Sequence, residues 1–252
     1  MNSQFDQNDT QKLEPGEISE RSSFVRWLDN FWYHNKWTVI VSVFFAVVLI
    51  VCLVQILGKT HYDAVVSVVV AATPDSGQKE NIEALLSKLC PEDFNGNGEK
   101  QVCLRSWQVY SDEEYKDEKE SAEAESQQFS LNAKYNEDEL KNFQQYVTTG
   151  ECSVCLVSPF IYEQLRSGSR LKPLTEVYGA DALPTGAMED GYGIALSGTD
   201  LYTYNEALYT ILPDTTILCL LKPTVVGDSS KEENYQNYVS LFRALADYSL
   251  SE

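Results

Sequence analysis

An uninterrupted apolar run, Trp37 to Leu57, constrains this chain more than any other feature; it reads WTVIVSVFFAVVLIVCLVQIL. It holds 21 residues and no charge, and only Thr38, Ser42 and Gln55 are markedly polar. At about 1.5 Å per residue, a helix of this length spans roughly 31 Å, the thickness of a bilayer core. A soluble helix would show a polar face, and this run has none. A cleaved signal peptide has an apolar core of only about 7–15 residues with a small-residue cleavage site behind it. Here Gly58, Lys59, Thr60 and His61 follow instead, and Cys52 is preceded by Val-Leu-Ile-Val rather than the small residues of a lipoprotein signal. The expectation is an uncleaved transmembrane helix whose partner is the lipid bilayer; the alternative is a late signal sequence.

The flanks give an orientation. Arg21, Arg26 and Lys36 lie on the N-terminal side, and only Lys59 is close on the other. The positive-inside rule then puts the N-terminus in the cytoplasm and residues 58–252 outside the cell membrane. Trp27, Phe31, Trp32, Tyr33, His34 and Trp37 crowd the inner boundary, where aromatic rings settle at headgroup depth. Residues 1–20 are polar and acidic and read as a tail. Residues 22–36 carry Phe24, Trp27, Leu28 and Phe31 at helical spacing and read as a short interfacial helix. The organisation is thus a cytoplasmic tail with an aromatic juxtamembrane segment (1–36), a span (37–57) and an extracytoplasmic domain (58–252).

Charge narrows the partners. The chain has 38 acidic and 19 basic residues, a formal net charge of −19. The external part holds 32 of the acids and 15 of the bases, so it carries −17. Nucleic-acid binding needs clustered Lys and Arg, and so does a polybasic membrane surface; this balance argues against both. A hydrophobic content of 43% is too high for a mostly disordered chain.

The external part alternates strand and helix patterns. DAVVSVVVAA (63–72) is a β-branched run of the kind found in buried strands. A helix follows, with Asp75 or Ser76 as cap, Ile82, Leu85, Leu86 and Leu89 on one face, and Pro91 as its stop. Residues 102–110 read as a second strand. The run 111–126 has eight acids and two lysines, a solvated loop or exposed helix inserted in the domain. Residues 136–150 are helical with Asn136 as N-cap and Gly150 at the end. CSVCLVSP is a third strand, and Pro159 opens the next helix. After a loop-rich stretch, residues 193–201 read as a strand or an extended crossover and residues 215–223 as another buried strand. The closing helix puts Tyr235, Tyr238, Val239, Phe242, Leu245 and Ala246 on one face. This order predicts an α/β fold, a mostly parallel sheet flanked by helices.

At 149–178, TGECSVCLVSPFIYEQLRSGSRLKPLTEVY resembles a stretch of extracellular solute-binding proteins with the two-lobed type II periplasmic-binding fold. The matching features are the strand Cys152–Val157, the helix Phe160–Arg166, the small-residue turn Ser167–Ser169, the segment Leu171–Leu174 and Glu176. The external part also resembles membrane-anchored proteins of Gram-positive anaerobes with a similar aromatic entry to the helix. The first resemblance implies a binding module; no cofactor is expected. Two ordinary lobes need about 250 residues, and 195 lie outside here. The periplasmic-binding-like domain is therefore expected to have a reduced or absent second lobe. The expected function is a single-pass, membrane-anchored binding module for a small polar solute. The alternative is a cell-envelope interaction or scaffold protein whose acidic domain docks another protein.

Ligand contacts are expected at strand ends, where helix N-termini face a crevice. The candidates are Thr73, Asp75 and Ser76 after the first strand, Trp107 in the second, Ser158 and Tyr162 after the third, and Tyr192 in a Gly-Tyr-Gly turn. Asp93, Asn95, Asn97 and Glu99, with Gly98 in sixth place, resemble the start of a calcium loop. The twelfth position is Leu104, where a bidentate Glu is needed, so a Gly/Asn turn is the competing reading. Cys152 and Cys155 form Cys-x-x-Cys but are expected on opposite faces of one strand. Cys90 and Cys103 flank a loop as a disulfide or as two core thiols. The only histidines, His34 and His61, flank the membrane run. No Ser-His-Asp set, nucleophile elbow, phosphate loop or dinucleotide fingerprint occurs, so no enzyme is expected. Glu189 and Asp190 read as solvated acids rather than catalytic carboxylates.

Overall fold

The computed structural model describes residues 23–57, 62–124, 133–179, 182–227 and 230–249. The polar tail, Arg21, Lys59, His61 and the end of the acidic insertion lie outside them. The chain divides into two units, residues 1–60 and 61–252.

The described residues of the first unit form one helix, α1 (Ser23–Leu57). The interfacial helix and the span expected as separate pieces are continuous, because no glycine or proline interrupts residues 23–57. Asn30–Val54 is long and apolar enough to cross a membrane; an 18-residue window within it has a mean hydropathy of 3.0 and none of that window is buried against protein. Trp27 and Phe31 stack one turn apart with ring centroids 5.4 Å apart.

The second unit is an α/β layer structure built on one five-stranded sheet. Its strands are β1 (Ala64–Val70), β2 (Val102–Gln108), β3 (Val154–Val157), β4 (Gly193–Ala195) and β5 (Ile217–Leu220). The spatial order is β2-β1-β3-β5-β4. β1 pairs in parallel with β2 and β3, whereas β5 runs antiparallel between β3 and β4. Four strands therefore point one way and β5 the other.

Period-two alternation makes both faces apolar. Val66, Val68 and Val70 of β1, Val154 and Leu156 of β3, and Leu218 and Leu220 of β5 share one core. Over it pack α2 (Ser76–Leu89) through Ile82 and Leu86, and α9 (Glu232–Ala246) through Tyr238, Leu241, Phe242 and Leu245. Three short helices, α6 (Leu174–Tyr178), α7 (Asp200–Thr203) and α8 (Glu206–Tyr209), complete that layer with Leu174, Leu201 and Leu208. The other face presents Val69, Cys155, Val157, Ile217 and Cys219. It is covered by α4 (Ala133–Thr149) through Phe143 and Val147, and by α5 (Pro159–Ser167) through Ile161, Tyr162 and Leu165.

The acidic run forms an exposed helix, α3 (Asp112–Ala124), with Asp112, Glu113 and Glu114 in its first turn, where the helix dipole favours acids. Two expectations change. α4 begins at Ala133, so Asn136 lies inside it rather than capping it. The Asn136 amide instead donates to Tyr110 O and accepts from Tyr110 N, at 3.0 and 2.8 Å, tying α4 to the end of β2. Cys152 precedes β3 and escapes its pleat, so it joins Cys155 and Cys219 in the same core rather than facing away.

The edge strand β2 is partly closed by side chains of α2. Ser87 Oγ accepts from Val102 N at 2.9 Å, and Glu83 Oε1 from Leu104 N at 2.8 Å. Such cover blunts edge-to-edge pairing.

Candidate functional site

β1 and β3 are neighbours whose chains leave in different directions, β1 toward β2 and β3 toward the other half of the sheet. That reversal is a topological switch point, and ligands of open α/β sheets bind outside the carboxyl ends of strands there. The local sequence builds this edge. Asp75 caps α2: its Oδ1 accepts from Gln78 N at 2.8 Å while Gln78 Oε1 accepts from Asp75 N at 2.9 Å, a reciprocal capping box. Ser158 caps α5, with Oγ accepting from Ile161 N and its own N–H donating to Val69 O at 2.9 Å.

The structure gathers Thr73, Asp75, Ser76 and Ser158 at this carboxyl edge, where Val69 and Val157 stand side by side. Thr73 and Ser76 are exposed, but Asp75 and Ser158 already serve helix ends. Trp107 is buried against Phe143 and Tyr146, with centroids 5.5 and 5.2 Å away. Tyr162 is 1% exposed and donates its hydroxyl to both oxygens of Asp190, at 2.8 and 2.9 Å. Burial first, and then the Asp190 carboxylate, push the Tyr162 hydroxyl well above the usual phenol range. Asp190 also accepts from Tyr192 N at 3.1 Å and pairs with Arg166 Nε at 3.2 Å. Tyr192 sits at the opposite edge, beside Arg166 and Lys222 in a cavity of about 260 Å³.

The calcium-like loop is closed on itself. Asp93 Oδ1 accepts from Gly96 N and Asn97 N, and Oδ2 from Gly98 N at 2.7 Å. Asn95 and Asn97 accept from Asn97 N and Glu99 N. The Gly98, Gly96 and Asn97 N–H groups hold the Asp93 carboxyl below its ordinary value. Gly96 and Gly98 take φ of +70° and +90°, which L side chains rarely adopt, so the glycines are required by these turns. Among the described residues no group of three or more His, Cys, Asp and Glu is placed to hold a metal ion. Cys90 and Cys103 are buried and form no disulfide; burial first pushes the Cys90 thiol up to about 11.

A larger cavity lies at the amino edge, where the chain enters β1 and leaves β5. It measures about 410 Å³ and is lined by Tyr62, Asp63, Phe94, Asn234, Asn237 and Tyr238, with Val65 and Asn95 beside them. Asp63 fixes its floor, accepting from Asn95 N at 3.0 Å and Gln101 N at 2.7 Å, so the loop before β2 is pinned to the start of β1. Asn234, Asn237 and Tyr238 share one stripe of α9 at i, i+3 and i+4. The Asn234 and Asn237 amides are half-buried and make no hydrogen bond among the described residues. None of Thr73, Asp75, Ser76 and Ser158 lines this cavity.

Sequence reasoning put Tyr238 on the apolar face of the closing helix and missed the two amides. The available signal was an Asn pair three residues apart next to a tyrosine. Its meaning depended on residues 62–65 and 94–95, which only the fold brings near.

Comparison with protein families, with curated proteins and with solved structures returned no match.

Proposed function

We propose that this chain is a single-pass membrane protein whose α/β domain stands outside the cytoplasm and binds a small polar solute. The cavity at the amino edge carries this reading. Its 410 Å³ falls within the range of ligand pockets, and it combines aromatic walls with a few convergent polar groups. Two half-buried amides without a protein partner among the described residues favour a polar ligand, since such groups lose free energy when they are desolvated unpaired. The apolar length of α1 and the Arg21, Arg26 and Lys36 flank support an anchor with the domain outside. Residues 154–178 fold as strand, helix, turn and short helix, in keeping with the resemblance to solute-binding proteins. The described residues of the domain form one sheet, so the ligand is held within a single lobe rather than closed between two.

The test is a thermal-shift screen of the full chain in lipid nanodiscs against amino acids, peptides, sugars, nucleosides and metal ions. A saturable shift with one class is expected; silence throughout would refute solute binding. Protease added to intact cells should remove the domain, and protection would reverse the orientation.

A second reading has its own observation. α3 exposes a dense acidic surface on a domain of charge −17, suited to docking a basic protein. A reproducible crosslinked protein that is lost when the acids of α3 are neutralised would favour it.

A further inference from the structure

Building on the solute-binding reading, we infer that the amino-edge cavity is a carbohydrate site, taking an uncharged mono- or disaccharide unit. The lining decides the ligand's charge first. Among the described residues, no Lys or Arg lines the cavity. The nearby Lys100 is spent on the carbonyls of Cys90 and Pro91, at 2.9 and 2.7 Å. A carboxylate or phosphate group would therefore enter without a counter-charge and beside the Asp63 carboxylate, an unfavourable exchange for its hydration. A cationic ligand fares little better, because Asp63 already spends both oxygens on backbone N–H groups. A neutral polar ligand remains.

The polar groups then select among neutral ligands. Asn234 and Asn237 each offer one carbonyl acceptor and an NH2 donor. An amide can accept from one hydroxyl of a vicinal diol while donating to its neighbour, so two amides match a ring bearing several adjacent hydroxyls. Spacing of three residues on α9 places both on one side of the cavity.

The apolar walls complete the match. Tyr62, Phe94 and Tyr238 bring aromatic surface to the same space. Tyr62 is 45% exposed and Tyr238 is 3% exposed. A pyranose has a C–H face that packs on aromatic rings and a hydroxyl rim that needs paired donors and acceptors. An aliphatic solute would leave the amides unpaired, and a fully polar one would leave the rings unused.

The experiment uses the full chain in nanodiscs and isothermal titration. One arm titrates soluble glucose, N-acetylglucosamine and their disaccharides; a second offers vesicles containing a glycosyl diacylglycerol against phosphatidylglycerol vesicles, separating a free sugar from a lipid headgroup. Further arms titrate amino acids and nucleosides. Binding in either sugar arm is expected, weakened roughly tenfold or more by Asn234→Ala with Asn237→Ala, as two lost hydrogen bonds imply. The melting temperature of the double variant should stay near that of the parent, and Thr73→Ala should leave affinity unchanged. Amino-acid or nucleoside binding without sugar binding would overturn the carbohydrate assignment and leave the solute-binding reading standing. Sugar binding that ignores the Asn pair would overturn the site. Silence in every arm would overturn both.

Discussion

Removing the hydroxyl of Tyr162 separates a structural tyrosine from a ligand-binding one. In Tyr162→Phe the ring stays and no void opens, so the change isolates the hydrogen bonds to Asp190, 2.8 and 2.9 Å long. A bond to a charged acceptor contributes about 1.5–3 kcal/mol to stability. Asp190 keeps the Tyr192 N–H at 3.1 Å and Arg166 Nε at 3.2 Å, so it is not orphaned and the loss falls at the low end of that range. For a domain of this size each kcal/mol moves the melting temperature by about 2–4 °C. A loss of about 1.5–2 kcal/mol therefore predicts a fall of roughly 3–8 °C, read by near-ultraviolet circular dichroism of the full chain in nanodiscs. A double-mutant cycle with Asp190→Asn should show a coupling of about 1 kcal/mol. Solute affinity should not change. A stability loss below about 0.5 kcal/mol would refute the link as a strut of this face, and lost affinity at unchanged stability would return Tyr162 to the binding site.

Further outcomes follow from packing and charge. A Cβ at Gly193 would lie 2.7 Å from both the Tyr162 ring and Ile217 Cγ2, so Gly193→Ala should cost about 1–3 kcal/mol in denaturant unfolding. The folded Asp93 carboxyl titrates below its ordinary value of 3.8, so its stabilisation of the loop is complete above that pH and is lost as the pH falls through the lower folded value. Amide exchange at Gly96 and Gly98 should therefore accelerate in acid relative to neighbouring loops after correction for intrinsic rates, and Asp93→Ala should produce the same loosening at neutral pH. The domain cysteines are all buried; burial raises the Cys90 and Cys103 thiols, and the Cys155 thiol, followed by burial, raises Cys152. Neutral iodoacetamide should leave all five unlabelled in the folded chain and label them in denaturant, whereas fast native labelling of Cys152 would mark a reactive thiol.

Much of this architecture is legible residue by residue. The Val-rich run of β1 and the continuous apolar runs of β3 and β5 announce strands buried on both faces, and Asp75, Pro159 and Gly150 mark helix ends through local chemistry. What stayed hidden is what neighbours decide. Nothing local tells β5 to run antiparallel between β3 and β4. Asn136 has the chemistry of a cap, but the end of β2 claims its amide. Cys152 and Cys155 fit a period-two rule only if the strand reaches both, and it begins at Val154. The candidate ligand residues were placed at the carboxyl edge by a general rule, yet Ser158 and Asp75 are occupied there by capping and Tyr162 by Asp190. The amino-edge cavity is assembled from the entry to β1, the loop before β2 and the start of α9, segments too far apart in the chain for any spacing pattern to join.

Hydrogen–deuterium exchange of the full chain in nanodiscs, with and without a solute found by the screen, addresses the central claim most directly. Binding at the amino edge predicts new protection confined to residues 62–65, 94–95 and 234–238. Protection at residues 73–76 and 158–162 instead, with the amino edge unchanged, would contradict it and return the site to the carboxyl ends of β1 and β3.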